Sequence, residues 1–117
     1  MVEGLCRAFV GLHHNIQAAV IVSRGEVKER FVKPGIPVPD PTDLEKLFIR
    51  AEMLVSMTRE SDRLFGETGY VLTNHKLLDT FIFPMSGQGV LILPIVKPYD
   101  HVELLKKAGE LLGKVLT

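Results

Sequence analysis

Residues 42–65, TDLEKLFIRAEMLVSMTRESDRLF, read as one long helix with apolar side chains on two opposite sides. At about 100° per residue, Leu44, Leu47, Phe48, Ala51, Leu54 and Val55 form one stripe, the pattern of a helix lying on a sheet. Ile49, Met53, Met57 and Leu64 recur at helical spacing on the reverse side, where a surface helix turns polar residues to water. A chain of 117 residues has one core to offer, so the second stripe predicts something that covers it. One candidate is a loop of the same subunit, residues 36–38, folded over the stripe. The other is a second molecule, which two features favour. A patch of several large side chains is rarely left open to water, and methionine is unbranched and adaptable, suited to surfaces that accept apolar partners.

Working outward, Thr42 and Glu45 have the spacing of a capping box, which predicts the helix start, and Gly66 and Gly69 predict its end. Residues 34–41 hold Pro34, Pro37, Pro39 and Pro41, which exclude regular helix or central strand and predict an extended crossover. A docking peptide for aromatic grooves is the alternative role of such a stretch. Further upstream, Val2, Leu5, Cys6, Phe9 and Leu12 follow the period of an amphipathic helix, weakened by Gly4 and Gly11 and ending near His13. Residues 16–23 are nearly all apolar, the composition of a strand covered on both faces. After a turn at residues 24–26, residues 27–33 place Lys28, Glu29 and Arg30 between apolar ends, as in an edge strand that resists further pairing.

Downstream, residues 70–74 predict a short strand at the opposite edge of the sheet. Residues 78–83 and 90–96 predict two more strands joined by a turn at residues 86–89. Asp100 and Glu103 repeat the capping spacing, and Leu104, Leu105, Ala108, Leu111, Leu112 and Val115 line one face of a last helix. Its other face is Lys106, Lys107, Glu110 and Lys114, so the two-sided apolar character of residues 42–65 is local. The expected architecture is an α+β sandwich, residues 1–117 as one domain, in the order α-β-β-α-β-β-β-α around a five-stranded antiparallel sheet.

Fourteen basic and fourteen acidic residues cancel, so no overall field draws the chain to nucleic acid or an anionic membrane. With two tyrosines and no tryptophan there is little aromatic platform for RNA, and Lys28, Arg30 and Lys33 read as a solvated edge diluted by Glu26 and Glu29. The longest apolar run, residues 90–96, is far too short to span a bilayer. No secretory signal opens the chain, and a cytoplasmic location is expected. The one cysteine, Cys6, lies among apolar neighbours and is expected to be a buried reduced thiol.

The element order resembles the roadblock family. The likeness rests on the initial helix, the hairpin of residues 16–32, the long middle helix and the three-strand meander closed by the helix starting at Asp100. Small archaeal proteins of roadblock-like or profilin-like pattern are similar through Leu5-Cys6, Tyr70, Phe83-Pro84 and Asp100-His101. The resemblance implies first and last helices on one face of the sheet and the middle helix on the other. It implies a homodimer joined through middle helices and adjoining edge strands, with Ile49, Met53, Met57, Leu64, Tyr70 and Leu72 at the contact. It also implies a non-enzymatic scaffold or regulator with a small GTPase as partner class. Pro94 departs from the pattern, because a proline removes a ladder donor from a central strand, and it predicts a bulge or a shortened strand.

No residue pattern argues for catalysis, a metal or a cofactor. His13, His14, His75 and His101 lack ligand spacing, and adjacent histidines point apart. Cys6 on an apolar helix face has a raised pKa and no access to substrate. Gly87, Gln88 and Gly89 precede a strand, whereas phosphate loops precede a helix. The acidic residues about the middle helix are explained by capping, helix dipole and solvation. The alternative function is a sensor domain of profilin-like or related sandwich form, holding a small ligand between helix and sheet.

Overall fold

The computed structural model describes residues 4–87 and 89–116. Val2, placed by its spacing in the first helix, and Gln88, placed in a strand turn, lie outside the described residues. The elements are α1 (Leu5–Val10), β1 (Ala18–Ser23), β2 (Glu26–Val32), α2 (Pro41–Arg59), α3 (Asp62–Phe65), β3 (Val71–Asn74), β4 (Leu78–Pro84), β5 (Val90–Val96) and α4 (His101–Leu112). The five strands form one sheet in the order β2-β1-β5-β4-β3, every neighbouring pair antiparallel. This is the expected α+β sandwich, with β2 and β3 at its edges.

Strand alternation sorts the core into two layers. Ala19, Ile21, Phe81, Phe83, Leu91, Leu93 and Ile95 meet Cys6 and Phe9 of α1 and Leu104, Leu105 and Ala108 of α4. On the other face Val20, Val22, Ile82 and Val90 meet Ala51 and Val55 of α2, with Phe48, Leu54, Val71 and Ile92 at the margin. Fully burying a large apolar side chain contributes about 1.5–3 kcal/mol, so the first layer, with Phe9, Phe81 and Phe83 fully enclosed, holds the chain together. The second layer buries only small helix residues, and α2 sits lightly on the sheet.

The long helix expected over residues 42–65 is two helices. At its end the ladder tightens: Glu60 N–H donates to the Met57 carbonyl (3.3 Å) and Ser61 N–H to the Thr58 carbonyl (3.1 Å). The Thr58 hydroxyl also donates back to the Leu54 carbonyl at 2.7 Å, a contact that bends helices. The chain restarts at Asp62, where the Thr68 hydroxyl donates to the Asp62 carboxylate and shapes the loop into β3. The helix also begins earlier than Thr42. Asp43 N–H donates to Asp40 Oδ1 at 2.9 Å and Pro41 takes the first helical position, because aspartate is a stronger cap than threonine and proline is preorganised there. Asp100 caps α4 as expected, accepting from Glu103 N–H at 3.0 Å, while the Glu103 carboxylate pairs with Lys107 at 3.1 Å instead of closing a box. Leu111 and Val115, expected on the buried stripe, are exposed, and Val115 lies beyond the helix, which ends at Gly113 with φ +74°.

Pro94 lies within β5 opposite Thr80, and the β4–β5 register runs through it. Its carbonyl accepts from Gln17 N–H at 2.9 Å, so its missing donor faces the β1 side. Between the pairs Val20–Ile92 and Ile16–Ile95 the β1 side advances one residue more than β5, and this irregularity absorbs the proline. Nearby, Gly89 approaches β1 so closely, at φ +119°, that a Cβ there would stand 2.7 Å from the Val22 carbonyl.

Candidate protein interface

Helix α2 lies on the sheet through Ala51 and Val55, which turns Ile49, Met53 and Met57 outward. They are 47%, 56% and 61% exposed, and Leu64 on α3 is 65% exposed. Residues 36–38 therefore do not cover the stripe. Two further side chains extend it. Leu47, expected against the sheet, is 46% exposed because it stands on the flank of the helix, and Phe65, beside Leu64 on α3, is 85% exposed. Phe65 could have been found from its place next to Leu64, but its exposure follows from the break between α2 and α3.

The two flanks of α2 look toward opposite sides of the sheet. On one, the Glu52 carboxylate accepts from Arg24 N–H (2.9 Å) and Gly25 N–H (2.8 Å), tying the helix to the β1–β2 turn. Ile49 leans this way. Leu54 and Leu47 stand on the opposite flank, where Leu54 packs in the layer that includes Val71 of β3.

Among the described residues strand β3 pairs only with β4, leaving its other edge open. His75 N–H donates to the Leu78 carbonyl. By alternation the backbone groups of Val71 and Thr73 face β4, and those of Leu72 and Asn74 face outward. The side chains of Tyr70 and Leu72 belong to the α1 and α4 layer, with the Tyr70 ring 5.8 Å from Phe81. Met53, Met57, Leu64 and Phe65 are thus all exposed, while Tyr70 and Leu72 pack in the layer on the sheet face opposite α2. Leu72 reaches the edge by its backbone alone. At the far edge, β2 has an irregular register opposite Ile21 and Val22 and carries Lys28, Glu29 and Arg30, a poor template for a further strand.

A buried polar cluster was not visible in the sequence. Asp79 of β4, 3% exposed, accepts from Asn74 Nδ2 (2.6 Å) and the Tyr99 hydroxyl (2.5 Å). Lys97 Nζ and His101 Nε2 stand 3.7 and 3.6 Å from the same carboxylate. Burial alone would raise its pKa, but the hydrogen bonds from Tyr99 and Asn74, the Lys97 charge and His101 together pull it below the usual carboxylate value. These partners join β3, β4 and the entry to α4. Cys6 of α1 is fully buried, and burial, followed by the neighbouring Glu29 carboxylate, pushes its thiol up to about 12. Among the described residues no three histidine, cysteine or acidic side chains gather as a metal site, and the His13 and His14 rings stack on each other at 4.5 Å. No helix among the described residues is long and apolar enough to cross a membrane.

Solved structures share this arrangement. A roadblock/LC7 domain from Streptomyces avermitilis superposes with a TM-score of 0.74 at 19% identity, over 93% of this chain and 89% of that one. The fold is the roadblock fold. MglB from Myxococcus xanthus matches with a TM-score of 0.72 at 13% identity, over 96% of this chain and 89% of its own. The gliding protein MglB from Thermus thermophilus gives 0.71 at 11% identity, over 94% and 82%. No protein-family model and no curated sequence matches the chain. In the roadblock fold seen here, α1 and α4 cover one sheet face and α2 the other, as the family resemblance implies.

Proposed function

We propose that this chain is a non-enzymatic binding module that works as a homodimer. The observation that carries the reading is an outward apolar surface of Met53, Met57, Leu64 and Phe65 on the same molecule as the unpaired β3 edge. Two copies related by a two-fold axis normal to the sheet would pair their β3 edges antiparallel and bring their α2 helices together in opposite directions. In this arrangement Leu47, Met53, Met57, Leu64 and Phe65 supply the apolar contact, and Leu72 and Asn74 supply backbone groups. Tyr70 and the Leu72 side chain support the edge strand from the core layer. One MglB structure is described as having a tetrameric arrangement, which supports association through surfaces of this fold. The partner class that the roadblock resemblance implies is a small GTPase, for which the dimer would be a docking surface. No catalytic residue is assigned.

Light scattering coupled to size exclusion tests the dimer. The expected result is the mass of two chains at micromolar concentration, reduced to one by Met53→Glu with Met57→Glu while far-ultraviolet circular dichroism stays unchanged. A wild-type monomer would overturn the proposal, and an unfolded double variant would place the stripe in the subunit's own core.

A further inference from the structure

On the flank of α2 that faces away from β3, a groove of about 560 Å3 runs between the helix and the β1–β2 and β4–β5 turns. Ile49, Met53, Val55 and Val90 give it an apolar wall, and Arg24 and Arg59 line it as cations. Among the described residues its one carboxylate, Glu52, already accepts a backbone N–H on each oxygen. Arg59 makes no ion pair among the described residues. A guanidinium beside an apolar slot favours carboxylate in its bidentate geometry. The volume lies within the range of small binding clefts.

We infer that this groove docks an acidic segment of a partner protein, one large apolar side chain entering between Ile49, Val55 and Val90 while an adjacent carboxylate meets Arg59. The inference deepens the binding-module reading and rests on it. It places the partner beside Ile49 and Arg59, on the flank away from β3, with Met53 on the crest that the groove shares with the proposed dimer surface.

The test is selection of phage-displayed random peptides on the immobilised 117-residue chain, followed by fluorescence anisotropy of a labelled enriched peptide against wild type, Arg59→Glu and Ser56→Glu. Ser56 lines the same groove and offers a second way to place negative charge there. Enriched peptides should pair a large apolar residue with neighbouring aspartate or glutamate. Affinity should fall at least about tenfold in each variant, the scale of one lost charged hydrogen bond, and should weaken with added salt. Failure to enrich peptides, enrichment of basic or purely apolar sequences, or binding that neither substitution changes would overturn the inference. Variants that fall to half the wild-type mass would also overturn it, by assigning the groove to a second copy. A wild-type monomer that still selects acidic peptides would sink the dimer and leave the groove standing.

Discussion

Asp79 is the side chain on which most polar contacts converge, and its protonation should be felt by the whole fold. Its pKa is lowered from the ordinary 3.8, so the folded state holds its proton less tightly than the unfolded chain. Its stabilisation is therefore present above about pH 4 and is lost as pH falls toward the folded-state value. Asp79→Asn should lower unfolding free energy at pH 7 by about 2–3 kcal/mol, because Tyr99, Lys97 and Asn74 lose a charged acceptor, and should flatten the acid limb of a urea-denaturation series between pH 5 and 2. Cys6 gives the opposite test. With its thiol held near 12 and fully buried, it should not react with a disulfide reagent at pH 8 in the native protein and should react at once in urea. Cys6 was legible as a buried thiol from its apolar neighbours. Asp79 was not, because Asn74, Lys97, Tyr99 and His101 reach it only after the β3–β4 hairpin and the α4 entry have folded, and no period or spacing joins them.

Composition and turn residues located every strand and periodicity both principal helices, while local chemistry moved their ends. For α2 the two candidate caps make different forecasts: Asp40→Ala should cost about 1 kcal/mol in thermal or urea unfolding, and Thr42→Ala only a few tenths. Equal losses would mean that the capping bond from Asp43 N–H to Asp40 has little weight. The break after Arg59 was hidden because residues 58–65 keep helical spacing in sequence. It arises from the Thr58 hydroxyl, the tightened carbonyls and the Asp62–Thr68 contact, all of them competing hydrogen bonds that a hydrophobic pattern does not register. The break sets Leu64 and Phe65 on a separate short helix, α3, where both are exposed as Ile49, Met53 and Met57 are on α2. Pro94 is the converse case: its oddity stood out in sequence, yet the irregular β1–β5 pairing absorbs it with the β4 register intact.

For the molecule as a unit, a dimer linked to folding should make thermal stability depend on concentration. A tenfold rise in protein concentration should raise the melting temperature, whereas Met53→Glu with Met57→Glu should melt at one temperature throughout. A flat wild-type response would count against the dimer. The layered architecture was legible because two-sided apolar strands and two differently patterned helices leave few ways to stack. What stayed hidden was the direction of each α2 flank, since a helical wheel has no compass until Glu52 ties one side to the β1–β2 turn. That attachment, together with the two small buried residues Ala51 and Val55, separates the history of the fold from the history of its associations. The face of α2 that water sees bears little of the load that keeps the sheet covered. In the dimer proposed above, substitutions there would change which molecules assemble while leaving the framework intact, and a duplicated copy would need only a few of them to prefer its sibling over itself.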